Sequence, residues 1–152
     1  MKKADTVANV LEAETKSTIA DWLRRVESEP DIIGIRLTNA ERTAHLPEIL
    51  RDLVTRLRNP LPLGTRALNS DAAYDHGVLR REQGYTPAMM VEESRMLQVS
   101  IFQTLQLNLQ KLDTAVLLTD VMAIADEVDS QLAQAVTSYI VEAEVDGAEI
   151  EP

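Results

Sequence analysis

A chain of 152 residues with 45% apolar side chains has the material for one domain with a sizeable core, and its composition excludes a disordered tract. Aromatic residues are 3% and cysteine is absent, so the core must come from Leu, Val, Ile, Ala and Met, with no disulfide framework and no thiolate-bound zinc, as suits a reducing cytoplasm. The net charge of −10 lies in one place: residues 113–152 hold ten of the 25 acidic residues and no Lys or Arg, an imbalance that argues against nucleic-acid partners and anionic membranes.

Met1-Lys2-Lys3 opens like a secretory leader, but Asp5, Asn9, Glu12 and Glu14 interrupt any apolar stretch. No run approaches the roughly 18 apolar residues that span a bilayer. From Thr6 to Ser28, Val7, Val10, Leu11, Ile19, Trp22, Leu23 and Val26 keep helical spacing, which predicts one amphipathic helix capped by Asp5 or Thr6. Pro30 and Gly34 end it. Ile32, Ile33, Ile35 and Leu37 predict a packed loop or 3₁₀ segment, because no second strand is available to pair with them. Thr38 to Ala44 reads as a short helical turn. Pro47 then suits the start of a helix carrying Leu46, Ile49, Leu50, Leu53, Val54 and Leu57, which stops at Asn59-Pro60. Leu61 to Leu68 is a linker too short to divide two domains.

Ser70 and Asp71 open a helix to about Glu82, and Gly84 marks its end. Thr86-Pro87 starts the next, which runs to about Gln110 with apolar residues on more than one face and so should be central. These two helices are expected to be antiparallel neighbours. Asp113 caps the last helix. There Leu118, Val121, Ala125, Val128, Leu132, Ala135 and Tyr139 repeat at three and four, a heptad seam that predicts a homodimer built on Val121, Val128, Leu132 and Tyr139. Leu117, Met122, Ile124, Val136 and Ile140 form a second strip, so one strip can face the core and the other a partner. The acidic stretch 143–152 is expected to fray, leaving a core of about residues 6–142. The architecture is thus a single all-α bundle of about five main helices with a long C-terminal helix.

Chemistry concentrates at one corner. His76, Arg80 and Gln83 share a helix face, Gly77 permits a close approach beside His76, and the bend at Gly84-Tyr85 returns Arg80 or Arg81 towards Glu92 or Glu93. His76, Arg80, Tyr85 and Glu93 are the candidate site, either as a structural clamp or as a small polar pocket reading an anion or metabolite through Arg80 and His76. No nucleophile–base pair or phosphate loop accompanies them, so catalysis is not expected. His45 is the other histidine, and neither a His-x-x-x-His nor a Glu-x-x-His spacing occurs, so metal and haem ligands are not expected.

His76-Gly77, Arg80, Gly84-Tyr85, Glu93, Arg95 and Leu97 resemble the signature of the N-terminal domain of RsbT co-antagonist proteins of the Rsb stressosome type, found also at the front of bacterial sensor histidine kinases. Trp22 in an early helix and Tyr139 in the closing one fit the same order, over about Ala8 to Glu142. Ser94 departs from an expected aromatic residue and Gln98 from an expected arginine. The resemblance implies a cytoplasmic, dimeric, non-catalytic input domain, globin-like without haem, set ahead of an output module. No phosphoacceptor helix, ATP-binding box or anti-sigma-type domain lies within this chain, so such an output would be supplied elsewhere. The alternative is a ligand-free scaffold whose acidic last helix binds a partner.

Overall fold

The computed structural model describes residues 3–65 and 70–150, with backbone alone for 148–150. Among the described residues eight α-helices follow one another: α1 (Val7–Ala13), α2 (Thr15–Glu27), α3 (Pro30–Ile33), α4 (Asn39–Thr43), α5 (Leu46–Arg58), α6 (Asp71–Glu82), α7 (Pro87–Leu107) and α8 (Thr114–Ile150). A 3₁₀ turn, Leu109–Lys111, joins α7 to α8. The fold is all-α, with no strand among the described residues. Of the linker expected over Leu61 to Leu68, residues 66–68 lie outside the described part, as do residues 151 and 152 of the acidic tail.

Helix starts follow local chemistry. The Thr6 hydroxyl accepts the N–H of Asn9, Ser70 that of Ala73 and Thr86 that of Met89, so each satisfies a donor left free at a helix N-terminus. Thr38 and Glu41 close a reciprocal capping box on α4. Asp113 Oδ1 accepts the N–H of Ala115 at the start of α8. Three expectations of local structure fail. Ile32 and Ile33, read as part of a packed loop or 3₁₀ segment, lie in the short α-helix α3, started by Pro30. The first amphipathic segment is two helices, broken at Glu14, whose backbone leaves the helical region at φ −101° and ψ 20°. The acidic tail continues the last helix, which runs 37 residues to Ile150 and passes through Gly147 without stopping.

One apolar core links Val7, Val10, Leu11, Trp22, Val26, Leu46, Leu50, Leu53, Tyr85, Met90, Leu97, Ile101, Ile124, Val128 and Ala135. Helix α8 lies against α5, α6 and α7, while α7 also packs on α1 and α2. Helix α6 lies along α8 rather than α7, which corrects the expected pairing of α6 with α7. The cause is Gly77: a Cβ there would meet Ala135 O and Ser138 Oγ at 2.0 Å, so only glycine lets the two helices come this close. Ser138 Oγ also lies 2.8 Å from Tyr74 O, across the same contact. On the other side, buried Arg56 of α5 donates to Glu127 Oε2 (3.1 Å) and Asp126 Oδ2 (2.9 Å) of α8.

These contacts set which residues of α8 face inward. Val128 and Ala135 are buried, Val121 and Tyr139 pack against the same core, and Leu132 is half-buried at an internal cavity. The side chains expected to form the dimer seam are therefore engaged within their own chain. Neither expected strip is kept whole: Leu118 of the seam is 70% exposed and stands outside with Met122 (47%) and Ile140 (49%), whereas Ile124 of the second strip is fully buried and Leu117 packs on the core.

Candidate functional site

The corner is built from the end of α6. Gly84 has φ +91°, a left-handed conformation that favours glycine. The N–H of Gly84 bonds to Arg81 O (3.1 Å) and that of Tyr85 to Arg80 O (3.0 Å), the paired bonds of a Schellman stop. This reversal tucks Tyr85 under its own helix, with its ring centroid 4.4 Å from Arg80 Cζ.

Arg80 is fully buried and its fork is spent on internal partners. It donates from Nε to Glu93 Oε2 (3.2 Å), from Nη1 to Gln83 Oε1 (2.7 Å) and from Nη2 to Arg42 O (2.7 Å). Arg42, also buried, donates to the Tyr85 hydroxyl (2.6 Å) and to the carbonyls of Ile32 (3.3 Å) and Ile35 (2.6 Å). Arg42 was not legible as a site residue. It joins the short helices α3 and α4 to the corner, which no local pattern announces. Of the two expected Arg–Glu pairings, Arg80–Glu93 forms inside, while Glu92 pairs with Arg95 at the surface and Arg81 reaches Asp146 (2.6 Å) on α8. Tyr85 also reaches α8 through its backbone: its carbonyl accepts the hydroxyl of Tyr139 (2.7 Å).

His76, one turn before Arg80 in α6, packs against His45 at the entrance of α5. The two imidazoles stack with centroids 3.7 Å apart and planes 11° from parallel. Trp22 meets His45 edge-on at 6.0 Å and anchors its own indole N–H on Glu93 O (3.0 Å). Residue spacing gave no reason to join His45 to His76; the fold brings them together. Beside them is a cavity of about 40 Å³, lined by Trp22, both histidines, Glu93, Ser94 and Leu132 among others. That volume holds a water or a small ion and is far too small for haem.

Electrostatics follow from burial. Desolvation, with Arg80 adding to it, pulls the His76 pKa down to about 3. His45 is held well below the usual imidazole range by desolvation, then by His76 and Arg80. Both rings are therefore neutral at pH 7. Desolvation raises the Glu93 carboxyl, against the opposing pull of Arg80, Tyr85 and Arg42. Tyr85 is pushed above the usual phenol range by burial and by the neighbouring Glu93. Among the described residues five buried side-chain atoms lack a hydrogen-bond partner, and two of them, Glu93 Oε1 and His76 Nδ1, belong to residues that line this cavity.

The arrangement changes what the corner can take. Of the two readings of the corner, a clamp or an anion pocket read through Arg80 and His76, the geometry favours the clamp, because the Arg80 fork is committed inward to Glu93, Gln83 and the carbonyl of Arg42. What remains free is a carboxylate oxygen and imidazole nitrogen, which attract cations and hydrogen-bond donors. The four expected residues do converge: His76 and Glu93 at the cavity, Arg80 and Tyr85 directly behind. No family model, no curated protein and no solved structure matches this chain.

Proposed function

We propose that this chain is a signal-input domain of a bacterial stress-response or two-component protein, cytoplasmic and non-catalytic, in which the buried corner biases α8 and α8 passes that bias to an output module. The observation that carries this reading is the bond from the Tyr139 hydroxyl to Tyr85 O, which ties the corner to α8 beyond its packed middle. The close approach at Gly77 and the Arg81–Asp146 pair add two more ties between α6 and α8. Packed helices of this kind shift between discrete arrangements rather than deform smoothly, which suits a switch. The resemblance of His76-Gly77, Arg80, Gly84-Tyr85 and Glu93 to the RsbT co-antagonist signature supports the same assignment.

Tyr139→Phe keeps the ring and removes the bond. It is expected to leave helix content unchanged and to accelerate amide exchange in α8 from about Tyr139 onward by roughly tenfold, the effect of losing about 1.4 kcal/mol of local protection. Exchange that is unchanged there would sink the coupling. Dimerisation through α8 belongs to the same proposal, now on the outward strip of Leu118, Met122 and Ile140. Light scattering should give twice the 16.9 kDa chain mass, and Met122→Asp should halve it with helicity retained. A wild-type chain that stays monomeric at every concentration removes the dimer.

A scaffold reading rests on a different observation, the absence of any Lys or Arg after residue 112. It predicts a basic partner whose binding to α8 weakens steeply with salt.

A further inference from the structure

We infer that His45, His76 and Glu93 form a binding site for one divalent transition-metal ion. The inference goes beyond the signalling proposal and does not depend on it. Each side chain comes from a different element: His45 at the entrance of α5, His76 from α6 and Glu93 from α7. One ligand atom from each lies within 4.8 Å of the others. Around a common ion, with bonds of about 2.0–2.2 Å, such atoms sit roughly 3–4 Å apart, so the cluster needs a contraction of at most about 2 Å.

The free valences point the same way. Glu93 is 4% exposed, lines the cavity and leaves Oε1 without a partner, and His76 Nδ1 is likewise buried and unmatched. Leaving such groups unpaired is costly, and a cation satisfies both lone pairs at once. A carboxylate here repels anions, and imidazole nitrogens with a carboxylate oxygen are a donor set that divalent transition metals take. Arg80 grips the other carboxylate oxygen, Oε2, and so fixes the direction of Oε1. Two imidazoles with one carboxylate, and space of about 40 Å³ for water to complete the coordination, suit zinc or iron(II) rather than calcium or magnesium.

Two features limit the affinity. The Arg80 guanidinium sits behind the carboxylate and repels the ion, so the site should bind more weakly than the same ligands without it. The stacked imidazoles must also part, because ring lone pairs lie in the ring planes and near-parallel rings cannot both aim at one ion. His45 should tilt, and Trp22, the one tryptophan of the chain, packs against its edge. Binding should therefore be visible in Trp22 fluorescence.

The test uses the full chain freed of metal with a chelator, then titrated with zinc chloride by calorimetry and with cobalt(II) chloride by absorption and fluorescence. One saturable ion per chain is expected, with a Trp22 fluorescence change that saturates with it and ligand-field bands from cobalt. His76→Phe and His45→Phe keep a flat ring in the stack while removing the nitrogen, and each should weaken zinc binding at least tenfold. Neutralising Glu142 and Glu144 to Gln should leave it unchanged. Absence of saturable binding, or binding that persists in both phenylalanine variants, overturns the site and leaves a bridging water or the acidic surface as the explanation. If either phenylalanine variant fails to fold, wild-type protein decides alone: quenching of Trp22 by cobalt at one equivalent supports the site, and cobalt uptake without quenching overturns it.

Discussion

Gly77→Ala is expected to destabilise the fold by about 2 kcal/mol or more, although it places a better helix former in the middle of α6. Helix propensity favours alanine by about 1 kcal/mol. Against this, the added Cβ would lie 2.0 Å from Ala135 O and from Ser138 Oγ. The hydroxyl can rotate away, but the carbonyl belongs to the backbone of α8 and cannot move alone. Overpacking of this kind costs about 3 kcal/mol, so the clash outweighs the propensity. For a domain of this size the melting temperature should fall by roughly 4–8 °C, followed by circular dichroism. The separation also moves Tyr139 away from Tyr85, so amide exchange at the end of α8 should rise in the same variant. A melting temperature within 2 °C of wild type would show that α6 and α8 are not held this close in solution.

Arg80→Met is expected to cost more, about 3–5 kcal/mol, because it strands partners rather than merely removing a contact. Glu93, Gln83 Oε1 and the carbonyl of Arg42 all lose their donor, and Tyr85 loses the cation over its ring. The largest part belongs to Glu93, a carboxylate left in a buried site with Oε1 already unmatched. Removing both charges relieves that penalty. The double variant Arg80→Met with Glu93→Leu should regain well over half of the loss, since an apolar pair of similar volume often replaces a buried ion pair without harm. Denaturant melts of the four proteins give the coupling energy directly. If the two single losses simply add in the double variant, the ion pair does not organise the corner.

Which arginine meets which glutamate was not legible, but that an Arg–Glu pair would close this corner was, because both segments flank one turn and Gly84 announces it. The same holds for helix starts at Thr6, Thr38, Ser70 and Thr86, where one side chain and one nearby N–H decide the outcome. The break at Glu14 was not legible, because neither glycine nor proline marks it and the apolar spacing continues across. The inward face of α8 was not legible either. Apolar residues surround much of the helix, and the buried face draws on both expected strips, Ile124 from one and Val128 and Ala135 from the other; Gly77 and Arg56 on other helices set it. His45 and Arg42 escaped for a related reason. They reach the site from 31 and 38 residues before His76 and Arg80, a distance across which no spacing rule operates.

The stretch of α8 from Glu142 to Asp146 carries three carboxylates, Glu142, Glu144 and Asp146, and no cation of its own, so these side chains repel one another there. Among the described residues the positive charge that reaches this stretch is Arg81, which lies next to Arg80 in the chain and spans from α6 to Asp146. The last turns of α8 are thus the first part of that helix to unwind. When they do, they release a guanidinium one residue from the buried pair, and added salt, by damping the repulsion, delays the event.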